Sequence, residues 1–248
     1  MVLTRGCASR LTVLAASGNL RALSVLLVFA VAAHATMKGV LAPLRTALGS
    51  WTVDIGTAAT LGALPGGSLV WAALIAAALL TLALRSGARP LHLGLAALLG
   101  LLVPAGWVGT GFVLFDDFDP IAMESLSFTA PFADTLFWGI AATAIPAGFG
   151  VGLIGGAFAG AGALALLSGR FAWQSFESPR QTGRYLAGGA MMGAGGVLAG
   201  GCTIGAGLAG IPTLGLAAML ALAAIAAGAL ATDRALARGG RATAVAAE

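Results

Sequence analysis

The sequence contains two cysteines, and a glycine stands directly before each of them. Cys7 follows Gly6, and Cys202 follows Gly201 inside a glycine-crowded segment, residues 188–210. A thiol is a weak hydrogen-bond donor and a polarizable partner for sulfur, so it contacts a sulfur-containing ligand without holding it tightly. Two cysteines are too few for a disulfide scaffold. We therefore expect the two cysteines to act as separate thiols.

The residues around Cys202 predict a break in a helix. Adjacent glycines such as Gly200 and Gly201 weaken a helix by about 1 kcal/mol each relative to alanine and permit positive φ. At membrane depth such a break is tolerated only where it lines a cavity or is buried in protein. Residues 203–209 then start a new helix, whose N-terminus attracts anions, with Thr203 as a hydroxyl donor and Gly205 on the same path. For residues 188–196, close helix packing explains the glycines equally well.

The start of the chain repeats this pattern. A shift of 195 residues places Val2, Leu3, Gly6 and Cys7 on Val197, Leu198, Gly201 and Cys202. Each cysteine is followed by small residues and then by an apolar stretch. We therefore expect one membrane domain, 1–248, with repeat units at 1–60 and 183–231 and a tail at 232–248. Four full spans and two half-crossings separate the cysteines, which amounts to five crossings. Because five is odd, the second unit would be inverted relative to the first, as in transporters whose broken helices meet at the midplane.

The composition requires a membrane around these segments. Of 248 residues, 59% are hydrophobic and 9% charged, and the mean hydropathy is +0.98. So few charges cannot cover a soluble domain, and the 13 basic residues form no patch for nucleic acid. Helices are expected, because backbone groups in lipid must be bonded within their own segment. The charge-free stretches predict spans near 20–38, 66–84, 92–113, 147–167 and 211–231, with a half-helix at 132–144. Residues 39–62 fit either an interfacial helix or a loop.

The loop charges predict the orientation. Arginines follow the second and fourth spans and fill the tail, whereas acidic residues and no basic ones occupy 116–134. By the positive-inside rule, the arginine loops and the C-terminus are cytoplasmic, in a multi-pass protein of the inner membrane.

Arg10 is a candidate for attracting anions at a mouth of the path, although pairing with lipid headgroups is the commoner role. His34 and His92 are isolated on apolar spans, so neither a metal nor another cofactor is expected.

Several motifs together resemble the YeeE/YedE family of membrane proteins, the sulfur-transport family in which thiosulfate uptake is the best understood activity. They are residues 188–210, residues 6–10 followed by Gly18-Asn19-Leu20, residues 124–131, and Trp173 with Phe176-Glu177. The resemblance implies that Cys7 and Cys202 line the conduction path. It also implies a third functional cysteine further upstream, after a Gly-Phe pair. The first repeat unit lacks a helix matching 184–194, which predicts coding sequence upstream of Met1.

Three functions fit these residues. The first is a permease, not an enzyme, for thiosulfate or a related sulfur anion. The second is a membrane sulfurtransferase in which Cys202 carries a persulfide and passes sulfur to a cytosolic carrier protein similar to TusA. The third is a structural subunit that completes a partner membrane protein. Since no basic residue stands near Cys202 to stabilise a thiolate, the permease is favoured over the transferase.

Overall fold

The protein is a bundle of helices. A computed structural model describes residues 1–51, 60–63, 65–115 and 123–245. The α-helices in these ranges are α1 (Ala8–Ala16), α2 (Leu20–Met37), α3 (Ala42–Gly49), α4 (Gly67–Arg85), α5 (Pro90–Val108), α6 (Thr129–Ala141), α7 (Phe149–Leu167), α8 (Pro179–Leu198) and α9 (Leu216–Val245). Short π-helices cover Gly109–Val113 and Thr203–Gly210, and 3-10 turns cover Leu61–Ala63 and Ile211–Thr213. The all-α prediction is confirmed.

Six stretches in the described ranges are long and apolar enough to cross a membrane. They are Leu20–Met37, Gly67–Arg85, Pro90–Val113, Phe149–Leu167, Pro179–Thr213 and Leu216–Ala237. Five of them match the expected spans, and the remaining one, Pro179–Thr213, is the glycine-rich segment that contains Cys202. The last span begins at Leu216 instead of residue 211, because Ile211–Thr213 form a 3-10 turn and Leu214 adopts a left-handed φ of 57°. The polytopic membrane class is therefore the one that the helices define.

The predicted break in the stretch Pro179–Thr213 is present. Helix α8 ends at Leu198, and the π-helix begins at Thr203. Gly200 and Gly201 between them have φ of +74° and +159°. Residues with a side chain rarely adopt such angles, so the two glycines allow the chain to change direction directly before Cys202.

Helices α2 and α8 pack closely through glycine. A Cβ built on Gly189 would lie 3.0 Å from the carbonyl oxygen of Val25, and one on Gly193 would overlap the carbonyl oxygen of Phe29. Phe29 and Val25 are themselves buried. The four-residue spacing of these glycines is the small-residue spacing that lets membrane helices approach each other. Close packing thus accounts for this part of the glycine-rich segment.

The turn that follows α1 is held by the loop between α7 and α8. The Ala172 and Gln174 N–H groups donate to the Ser17 and Gly18 carbonyls, each across 3.1 Å, and the Leu20 N–H donates to the Gln174 carbonyl across 2.8 Å. Gly18 has φ +98°, and a Cβ there would lie 2.6 Å from the Ala172 carbonyl oxygen. We call this contact the first clamp.

A second backbone contact holds the turn before α9. Thr60 forms an isolated bridge with Gly215, and the Leu61 N–H donates to the Leu214 carbonyl across 3.0 Å. We call it the second clamp. Between α2 and this clamp, α3 forms a short helix without buried residues, as expected for an interfacial helix. Residues 52–59 of the ambiguous region lie outside the described ranges.

Candidate functional site

Cys7 and Cys202 occupy equivalent backbone positions. Each is the residue immediately before a helix, with φ −81° and ψ 170° at Cys7 and φ −91° and ψ 179° at Cys202. The Gly205 N–H donates to the Cys202 Sγ across 3.4 Å, and the Cys7 Sγ lies 3.2 Å from the Ser9 Oγ. Both thiols are therefore placed beside helix N-termini, where the first N–H groups have no acceptor within the helix.

The two cysteines line one cavity of about 390 Å³, which we call cavity A. Its walls come from the N-terminal residues, α2, α6, α8, the Cys202 segment and α9. The lining side chains include Phe29, Thr129, Met191, Met192, Thr203, Ala221, Ile225 and Thr232. Thr203, the first residue of the π-helix, lines the same cavity as the Cys7 thiol.

The predicted site residues fall into three groups. Cys7, Cys202, Gly201 and Thr203 line cavity A. The Gly205 N–H donates a hydrogen bond to the Cys202 thiol, and Gly200 adopts a left-handed φ in the turn before it. Gly6 lies against Arg10, because a Cβ on Gly6 would be 3.3 Å from the Arg10 Cδ.

Arg10 lines a different cavity from the cysteines. This second cavity, cavity B, has a volume of about 690 Å³ and is also bordered by Ser9, Thr12, Ile204 and Leu208. Ser9 and Ile204, each two residues after a cysteine, thus border cavity B, whereas the cysteines themselves border cavity A. Arg10 is exposed and lines cavity B instead of the cavity that holds the thiols.

Cavity A has no charged side chain among its lining residues in the described part of the chain. What it has instead are three helix starts: Cys7 before α1, Cys202 before the π-helix, and Thr129 as the first residue of α6. Helix N-termini carry partial positive charge and free N–H groups, and they bind anions without a cationic side chain. The arrangement suits an anion that must be bound weakly and released.

Sequence reasoning missed the contribution of α6. The segment before it is fixed to α5, because the Thr110 Oγ1 contacts both the N–H and the carbonyl of Glu124, and the Ser125 Oγ donates to the Val103 carbonyl across 2.9 Å. A Cβ on Gly106 would lie 3.2 Å from the Ser125 Cα, so α5 and this segment are in close contact. These contacts bring residue 129 to cavity A. The only signal in the sequence was the family-like run at residues 124–131.

Met192 of α8 packs against the buried core. Met191 and Met192 both line cavity A, so sulfur from two thioethers and two thiols faces the same space. Thioethers are soft and polarizable, and this makes the cavity wall compatible with a sulfur-containing ligand.

An all-α bundle whose described residues include six apolar stretches long enough to cross a membrane, with a cavity between two cysteine-bearing helix starts, is a polytopic membrane protein. The chain belongs to the YeeE/YedE family, since the family model described as Sulphur transport matches residues 1–231. It has no significant match among curated proteins. The protein is thus a membrane transporter of the sulphur transport family.

Proposed function

We propose that the protein is a permease for a sulfur-containing inorganic anion, thiosulfate above all, which passes through cavity A beside Cys7 and Cys202. The observation that carries the proposal is the meeting of both cysteines, each at a helix start, in one cavity whose described lining has no charged side chain. The thiols contact the soft terminal sulfur, and the helix N-termini face the negative charge. Weak contacts of this kind favour release, which conduction requires.

In this proposal the anion also passes through cavity B, which Arg10 lines and which lies on the other side of α1 and the π-helix from cavity A. An exposed guanidinium raises the local concentration of anions without binding them inside the path. Its place among residues that follow the cysteines supports a route from one cavity to the other between α1 and the π-helix. The proposed location is the inner membrane, with the arginine-rich loops and the C-terminus in the cytoplasm.

The two clamps support an inverted repeat. Residues that touch lie on the same membrane side, so the turn after α1 shares a side with residues 172–174, and the turn before α9 shares a side with residues 60–61. If α2 crosses once between residues 20 and 37, the two clamps lie on opposite sides of the membrane. The cysteine-bearing helices then run from the midplane in opposite directions, as inverted repeats require.

Uptake of labelled thiosulfate tests the function directly. The gene is expressed in a bacterial host that lacks its own thiosulfate uptake and cannot make cysteine from sulfate. Accumulation of label and growth on thiosulfate are expected with the protein and not with the empty vector. Failure of both, with the protein present in the membrane, would contradict the proposal.

A sulfurtransferase is the second candidate, and the hydrogen bond from the Gly205 N–H to the Cys202 Sγ is the observation in its favour. An N–H donor at a helix N-terminus stabilises a thiolate. In that reaction the Cys202 thiolate attacks the outer sulfur of thiosulfate, the S–S bond breaks, and sulfite leaves as a persulfide forms on Cys202. A TusA-like carrier would then accept the persulfide sulfur. Alkylation followed by mass spectrometry distinguishes the two, since only the transferase accumulates a persulfide adduct on Cys202.

A further inference from the structure

We propose that Thr129 contacts the anion in cavity A and donates a hydrogen bond to its oxygen end. The inference rests on the proposed function. Thr129 lines cavity A and is 3% exposed, yet its Oγ1 is buried without a hydrogen-bond partner in the described part of the chain. A buried hydroxyl without a partner is costly, and native structures rarely leave one in this state.

The other buried threonines show what Thr129 lacks. Thr12, Thr36 and Thr110 each donate to the carbonyl of the residue four positions earlier, all across 2.8 Å. Thr4 donates to the Gly6 carbonyl across 2.9 Å. Thr129 is the first residue of α6, so no preceding helical turn provides such a carbonyl. Its position at the helix start is therefore the reason that its hydroxyl is free.

The surroundings of Thr129 indicate that a hydrogen-bond acceptor for its hydroxyl comes from cavity A. Gly196 of α8, which also lines cavity A, lies so close that a Cβ there would be 3.0 Å from the Thr129 Oγ1 and 3.2 Å from its Cγ2. The hydroxyl therefore lies against a part of the cavity wall that carries no side chain. A ligand oxygen in cavity A can serve as its acceptor there.

The neighbouring residue Ser127 extends the same pattern. A Cβ on Gly205 would lie 3.2 Å from the Ser127 Oγ and 3.9 Å from the Cys202 Sγ. Ser127 and Cys202 thus both lie beside Gly205, and Thr129 lies at the wall of cavity A two residues further along the chain. Thiosulfate has one soft sulfur end and one end with three oxygens. A hydroxyl is a stronger hydrogen-bond donor than a thiol, so Thr129 offers the oxygen end a better partner than the cysteines do.

Three variants of the full-length protein in membrane vesicles test the assignment. Thr129→Val keeps the shape of the side chain and removes the hydroxyl, and Thr129→Ser keeps the hydroxyl. Thr36→Val is the matched control, because it removes a buried hydroxyl that is bonded within α2 and does not line cavity A. Two quantities are measured: the KM for thiosulfate uptake, and the thiosulfate concentration that gives half protection of Cys202 against alkylation.

We expect Thr129→Val to raise both quantities by roughly tenfold, which is the effect of losing one hydrogen bond to a charged group. Thr129→Ser and Thr36→Val should stay close to the wild-type values. Neither quantity depends on the amount of protein in the membrane, so reduced expression does not obscure the result. Wild-type values for Thr129→Val, or an equal increase for Thr129→Ser, would overturn the assignment. A wild-type protein that shows neither uptake nor protection would instead refute the proposed function itself.

Discussion

The thiols of Cys7 and Cys202 are each held by a polar group two or three residues further along the chain. The Ser9 Oγ lies 3.2 Å from the Cys7 Sγ, and the Gly205 N–H donates to the Cys202 Sγ across 3.4 Å. Each thiol therefore has a fixed direction at the wall of cavity A. A small change in either cysteine should then alter uptake more than it alters the fold.

Replacing Cys202 tests this expectation. Cys202→Ala removes the soft sulfur contact and leaves space, so uptake should fall about five- to thirtyfold, the effect of losing about 1–2 kcal/mol in the limiting step. Cys202→Ser keeps a hydroxyl and should recover part of the loss. The measurement is the initial rate of thiosulfate uptake, normalised to protein in the membrane. Wild-type rates for both variants would show that Cys202 only fills space.

The orientation is checked with reporter fusions. A periplasmic-active reporter fused within the acidic segment 116–130 should be active, and one fused after Arg241 should be inactive, since arginine-rich segments stay in the cytoplasm. A fusion in the loop at residues 171–176 serves as the control, and it should match the C-terminal fusion. The reverse pattern would contradict the proposed orientation.

The contact between α2 and α8 predicts a loss of stability for Gly193→Ala. The added methyl group would overlap the Phe29 carbonyl oxygen, and overpacking of this kind costs typically about 1–3 kcal/mol. Gly183→Ala on the same helix is the control, because a Cβ there meets nothing within 4 Å and alanine favours the helix. Melting temperatures in detergent should fall for the first variant and stay level or rise for the second. Equal melting temperatures would mean that the helices are not in close contact.

The first clamp makes a similar prediction at Gly18. Gly18→Ala introduces both an unfavourable φ of +98° and a Cβ that would lie 2.6 Å from the Ala172 carbonyl oxygen. Gly169→Ala has φ +65° but meets nothing within 4 Å, so it carries only the backbone cost of about 1–2 kcal/mol. The melting temperature should therefore fall further for Gly18→Ala. Because the clamp holds the end of α1, we also expect faster alkylation of Cys7 in this variant alone.

The sequence was sufficient for features that depend on local chemistry. Apolar stretches of the required length predicted the spans, and two adjacent glycines predicted the break before Cys202. The end of that segment was harder to predict. Apolar residues continue through 211–215, but a 3-10 turn and the left-handed Leu214 delay α9 until Leu216.

Features that depend on distant contacts did not follow from the sequence. Thr129 reaches cavity A because Thr110 and Ser125 fix the preceding segment to α5. The first clamp joins Gly18 to Ala172, which are far apart in the chain. No periodicity or composition encodes such pairings, and they become visible only once the helices are packed.

The helix starts around cavity A have an electrical consequence for the proposed transport cycle. Their partial positive charges stay with the protein, so a dianion that crosses alone carries its whole charge through the membrane potential. Against 100 mV, negative inside, this opposes entry by about 2.3 kcal/mol per charge, so about 4.6 kcal/mol for a dianion. That energy corresponds to a concentration ratio of about two thousand in favour of the outside. Net uptake therefore requires either entry of cations with the anion or a cytoplasmic reaction that consumes the anion as it arrives.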